Sequence, residues 1–391
     1  MTTADPALPR YPFSTRGDRL AGELRGSCPV ARVTTNAGHP AWLVTGYPEA
    51  RRVLRDGSFR RSQVADDASP VQDVPTFAPE LLDAMNYLGG AGLLEETRRL
   101  LGDLPDLSEP FLRAEARRGL EGMAAQGTPG DLQRRFAEPL AGLAMCQVMG
   151  LPTGDLPRLT RWADTDLTMR LPEEEVHRNW RELRDHVLTR ARESDAGAPG
   201  LVPRLTAMNT GKGALTPHQL ANVLGVVFVA GYEDLASFLG GAAFHLARMP
   251  DALALIRADP GSVDGHVEEL LRYSVLLGNA LARICTADAE LGGRRLSAGD
   301  LVLVSTDAAN TDPAVFPDPD AYDPSRRPNP HLRFGHGPHY CPGARMTRRV
   351  GALALTELSR LESLRLAVPA EDVVWHPDRM AIMPVAVPVL W

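Results

Sequence analysis

One decapeptide, Phe334-Gly335-His336-Gly337-Pro338-His339-Tyr340-Cys341-Pro342-Gly343, constrains what this 391-residue chain can fold into more than any other segment. Gly335 and Gly337 allow a tight loop with backbone angles that other residues resist, and Gly343 leaves room for the backbone to approach the sulfur of Cys341. A helical run follows at once. Its unpaired N–H groups and positive end point back at that sulfur, which favours thiolate over thiol. Two other readings stand beside this one. A lone cysteine is usually a small buried hydrophobe, and His336 and His339 could suggest zinc. Zinc takes three or four protein ligands, and the chain offers no second cluster of them.

The order and spacing of Phe334, Gly335, Gly337, His339, Cys341 and Gly343 resemble the signature of the cytochrome P450 monooxygenases. The resemblance runs from about Tyr11 to Trp391. It implies that family's mainly α fold, a triangular prism of helices with a minor β-sheet region and a long central helix over haem. The whole of residues 1–391 then forms one domain, with 1–10 as a flexible N-terminus. It also implies haem b, iron protoporphyrin IX, with Cys341 as the metal ligand, Phe334 shielding the sulfur, Gly335 and Gly343 shaping the loop, and His339 reaching a propionate. A thiolate ligand pushes electron density onto iron and assists O–O cleavage.

Other segments carry the resemblance further. Arg283 falls where the family sets a strand arginine against a propionate, and a guanidinium fork fits a carboxylate; the alternative is an exposed strand arginine. Glu269 and Arg272 lie three apart on one helix face and resemble the family's Glu-x-x-Arg signature. Taken alone, such a pair is a solvated ion pair of little worth. Arg326, in Tyr322-Asp323-Pro324-Ser325-Arg326, supplies the meander arginine of a structural triad, and only a paired charge tolerates burial. Leu93-Leu94-Glu95-Glu96-Thr97-Arg98-Arg99 departs from the pattern: Glu96 holds the place of a usual histidine, which leaves Arg98 or Arg99 for a propionate.

Thr216-Pro217 opens a helix with a capping residue and Pro at its first position, predicted to run to about Arg248. Within it, Ala230-Gly231-Tyr232-Glu233-Asp234 resembles the family's oxygen-activating kink, where Ala230 and Gly231 permit a local opening and Glu233 matches the acid of an acid–alcohol pair. Asp234 stands where the alcohol, normally Thr, is expected. A hydroxyl donates and accepts, whereas an ionised Asp only accepts, so proton delivery changes unless burial keeps Asp234 protonated. Two acids in a helix are usually a solvated face, but the apolar flanks Leu224–Val229 and Phe238-Leu239 argue for burial. Pro342 lacks an N–H to give the sulfur.

The rest of the chain reads as a strand-rich start, a helical middle and a mixed end. Residues 31–34 and 41–45 are predicted strands around a Gly38-His39-Pro40 turn, and 48–54 a short helix. Residues 63–92 read as a long loop over a pocket.

A net charge of −7 argues against general affinity for nucleic acid, so any basic patch must be local. Arg345, Arg348 and Arg349 share one side of the helix after Cys341, and Arg333 precedes the loop; the alternatives are a solvated face and a docking patch for an acidic ferredoxin. Four scattered cysteines, an N-terminus without an apolar leader, and apolar runs too short for a bilayer predict a cytoplasmic protein with no membrane contact.

The expected function is a haem-thiolate oxidase taking electrons from NAD(P)H through ferredoxin reductase and ferredoxin. Its substrate is expected to be a small natural-product intermediate, free or tethered to a carrier protein. Hydroxylation or epoxidation is the first reading, oxidative cyclisation or coupling without oxygen insertion the second, and a non-catalytic partner protein of the same fold the third. The pocket is expected from Asn86, Tyr87 and Leu88, from Phe228, Ala230 and Asp234, from Leu277 and Asn279, and from Ile382 and Met383.

Overall fold

Apolar residues at helical spacing assemble around one long rod, the helix Pro217–Leu246. Thr216 and Gln219 form a capping box at its start, an arrangement worth about 1 kcal/mol. It packs against Glu138–Met149, Glu173–Glu193 and the helix that follows the cysteine loop, Ala344–Leu358. Pro217–Leu246 is long and apolar enough to cross a bilayer, yet most of it is buried as a core helix. This computed structural model describes the chain except residues 1–7, 14–15, 19, 26–27, 62–86, 167–170, 196, 279, 378 and 380. Asn86, Asn279 and most of the expected pocket loop therefore lie outside the described residues.

The main sheet has five strands in the order Val30–Thr34, Pro40–Val44, Leu301–Val304, Leu281–Cys285, Phe59–Arg60. Its first two strands form the expected antiparallel hairpin; Pro40–Val44 then pairs in parallel with Leu301–Val304. That central strand, Leu-Val-Leu-Val, is buried throughout, as a strand covered on both faces must be. In Leu281–Cys285 the period of two turns Arg283 and Cys285 to the same, buried side. A charged residue is thus delivered to the interior by strand geometry alone.

Two local differences from the sequence reading have packing causes. The long helix is unbroken through Ala230 and Gly231, so no opening is present there. Gly231 is small for a different reason: a Cβ at that position would sit 2.6 Å from the Met145 sulfur on Glu138–Met149. Secondly, Tyr87–Gly90 is a helical turn rather than loop, leading into the helix Leu94–Asp103.

Candidate active site

The cysteine loop takes its shape from two left-handed residues, Gly335 at φ +72° and Gly337 at φ +76°. The second is also wedged: a Cβ on Gly337 would lie 2.9 Å from Arg55 Cα and 3.0 Å from the Leu54 carbonyl oxygen. The Cys341 N–H donates to the Phe334 carbonyl at 2.9 Å and closes the loop. Phe334 itself is buried, with the Arg348 guanidinium 4.7 Å above its ring. Gly343, by contrast, has an ordinary φ of −79°, and a Cβ there would rest 3.7 Å from the Cys341 sulfur. The room it leaves is beside the sulfur and is not a demand of the backbone.

The N–H groups of Gly343 and Ala344 bear on the sulfur and lower its pKa, as a helix start should. Burial and the nearby Asp234 outweigh them and push the thiol up to about 11. A metal ion bound at the sulfur would displace that proton, since the thiolate is the ligating form.

A set of cations converges beside this loop. Arg283 is buried, and its Nε has no hydrogen-bond partner. Burial pushes Arg283 down to about 10, and repulsion from Arg61 adds to the effect. Burial and the charges of Arg283, Arg61 and Arg98 lower His339 in turn. Among the described residues no carboxylate answers Arg61 or Arg283. Arg98 reaches the loop, donating to the Pro338 carbonyl at 2.9 Å, whereas Arg99 is exposed and held by Glu96 and Asp103. Of the two arginines, Arg98 faces the site. Arg61 is the residue that sequence reading missed. Its signal lies in the pairing of Arg60 with Ile284, which one residue further brings Arg61 beside Arg283.

Opposite the loop, the long helix turns one open face. Ala230 and Asp234 are exposed and Val226, Val227 and Gly231 half-buried, a stripe at the i, i+4 spacing of a single helix side. This side faces the cysteine, because Asp234 acts on the Cys341 sulfur and Arg333 acts on Asp234. Although open space lies before its carboxyl, Asp234 sits deep in the molecule, and burial raises it to about 6. Glu233, turned away and buried, is pushed up to about 8 by burial and by Asp234. Arg379 opposes that shift and links Glu233 to Asp164 near the surface, with an Arg379–Asp164 distance of 2.9 Å.

Glu269, Arg272 and Arg326 come together beneath the site. Glu269 and Arg272 are wholly buried and joined by bonds of 2.7 and 2.9 Å; Arg326 approaches Glu269 at 3.4 Å. The Asp323 N–H and the Asn329 amide fill the remaining positions around the carboxylate. Arg272 also donates to the carbonyls of Asn310, Pro319 and Ala321, so one side chain ties the helix Val263–Tyr273 to the meander.

Other expectations are corrected. Arg333 is no surface charge: it is buried, 2.6 Å from Asp307, and donates to the carbonyls of Leu271 and Ser274. Arg348 and Arg349 are paired with Glu268 and Glu109, and Arg345 lies 3.9 Å from Asp103, so the patch is largely neutralised. Phe228 lies off the open stripe, fully buried and stacked on Tyr232 at 6.2 Å; Val227 takes the place expected of it. Leu88 is also fully buried, while Tyr87 packs half-buried on the core and Leu277 is half-buried. Ile382 and Met383 belong to the core, where the Ile382 carbonyl accepts from Ser237 on the long helix at 2.6 Å.

The residues would suit a flat iron macrocycle bearing two carboxylates: the Cys341 sulfur to hold the metal, Arg61 and Arg283, unanswered among the described residues, to take the carboxylates, and the small Ala230 on the open face of the long helix to leave room. The sequence model of the family Cytochrome P450 matches residues 200–386. Mycocyclosin synthase of Mycobacterium tuberculosis is 33% identical over 98% of this chain and 99% of its own. Mycinamicin IV hydroxylase/epoxidase of Micromonospora griseorubida is 33% identical over 100% of both. A crystal structure of HinD with NMFT and NO superposes with a TM-score of 0.85 at 33% identity, covering 99% of this chain and 100% of that one. The chain belongs to the cytochrome P450 family. It is an oxidoreductase with that family's mainly helical fold.

Proposed function

We propose that the protein holds haem b through Cys341 and oxidises a small natural-product molecule with electrons from NAD(P)H, relayed by a ferredoxin reductase and a ferredoxin. The observation that carries this reading is the sulfur at the mouth of Ala344–Leu358, set against the open Ala230–Asp234 stripe, with Arg61 and Arg283 unanswered among the described residues and bearing on His339 of the same loop. Arg61, Arg98, Arg283 and His339 would hold the propionates, and Phe334 keeps water from the sulfur. Haem bound there supplies activation of dioxygen. Glu233, raised to about 8, carries a proton at neutral pH beside Asp234. Four free thiols suit a cytoplasmic protein.

Hydroxylation or epoxidation is the first reading. Oxidative coupling is the second, favoured by Asp234 in place of a hydroxyl and by the likeness to mycocyclosin synthase. Reconstitution with ferredoxin, its reductase and a scaffold that shifts the ferric spectrum separates them. One labelled oxygen from dioxygen in the product supports the first, and loss of two hydrogens without label the second. A haem that ferredoxin cannot reduce contradicts both.

The propionate assignment gives a prediction of its own. Arg283→Met is expected to weaken haem retention by about 1.5–3 kcal/mol, the worth of a charge-assisted hydrogen bond. Arg99→Met should leave retention unchanged. Haem transfer to apomyoglobin measures both, and equal losses would contradict the assignment.

A further inference from the structure

We propose that Asp234 anchors a cationic group on the substrate, so that the site selects small molecules pairing an apolar body with an amine or ammonium head. The inference rests on the haem-thiolate reading and deepens it. On a helix that is otherwise mostly buried, the Asp234 side chain is exposed to the open stripe facing Cys341. No hydrogen bond or ion pair of the described residues engages its carboxyl. The one cation among the described residues that acts on it, Arg333, is already committed to Asp307 at 2.6 Å. Arg379, near the adjacent Glu233, is committed to Asp164 at 2.9 Å.

Among the described residues, this wall therefore presents the Asp234 carboxyl and no free cation. The unanswered arginines, Arg61 and Arg283, lie at the paired strands Phe59–Arg60 and Leu281–Cys285 and bear on His339, where the propionates would take up their charge. A molecule with neither charge nor hydrogen-bond donor strips water from the carboxyl and returns nothing, a neutral donor restores one hydrogen bond, and a cation adds attraction across the low-dielectric pocket. Val226, Val227 and Ala230 along the same stripe offer only apolar contact. Recognition thus falls to one polar group in an apolar surface, the usual composition of a small-molecule site.

Two probes of one shape test this on the haem-loaded protein: phenethyltrimethylammonium, which cannot ligate iron, and its uncharged carbon analogue (3,3-dimethylbutyl)benzene. Affinity is read by calorimetry and by the ferric spectral shift. Asp234→Asn is expected to weaken the cation about tenfold and leave the neutral probe within about twofold, while Asp234→Glu keeps the wild-type ratio. Equal changes for both probes, or a cation unaffected by Asp234→Asn, overturn the inference and leave the haem reading intact. A wild-type protein that stays colourless with haem overturns that reading, and the inference with it.

Discussion

Glu269→Gln is expected to destabilise the protein by about 3–5 kcal/mol, seen as an earlier midpoint in urea or thermal unfolding. Glutamine keeps the shape of the side chain but removes its charge and replaces one of its two accepting oxygens with an NH2 that faces donors. Arg272, wholly buried and 2.7 Å from the carboxylate, and Arg326 at 3.4 Å would then be left with only neutral acceptors. The buried Arg272 facing an amide is the situation in which desolvation is no longer repaid. The Asp323 N–H and the Asn329 amide lose their charged acceptor in the same step. Because Arg272 also fastens the meander carbonyls, the loss should reach the cysteine loop, and haem retention should fall with stability. A loss below about 1 kcal/mol would mean that solvent reaches the triad and that the ion pair is ordinary surface chemistry.

The second large effect is at Gly337. Alanine there must adopt φ +76° and place a Cβ 2.9 Å from Arg55 Cα, a backbone atom that cannot swing aside. Left-handed strain alone costs about 1–3 kcal/mol, and separation of the loop from the helix Tyr47–Arg55 adds to it. Gly343→Ala offers the control, since its backbone is ordinary and its nearest contact is the sulfur at 3.7 Å. It should unfold within about 1 kcal/mol of wild type. Denaturation of the two variants side by side decides the matter; a Gly337→Ala protein as stable as Gly343→Ala would contradict the wedged loop.

Much of this architecture was legible because it rests on local rules. The capping residue and Pro that start Pro217–Leu246, the Gly-rich turn before Cys341, and the three-residue spacing of Glu269 and Arg272 are properties of short segments. Contacts between distant segments were not. Arg333 reads as a surface charge until Asp307, from another element, is seen 2.6 Å away. The same holds for Arg348 and Arg349, whose acids come from Val263–Tyr273 and Glu109–Ala125. Phe228 was misplaced by a smaller error. A helix turns 100° per residue, so a neighbour of the open stripe at Val227 already faces Tyr232 and the core. Local N–H groups argue for a thiolate at Cys341; the burial that opposes them belongs to the tertiary structure.

All of these assignments meet at the sulfur of Cys341, and the spectrum of the ferrous carbon-monoxide complex tests it most directly. Freshly purified protein loaded with haem is predicted to give the red-shifted band of a thiolate ligand, and Cys341→Ser to lose that band. A protein that takes up no haem, or one whose band is that of nitrogen ligation and survives the substitution, would contradict the account.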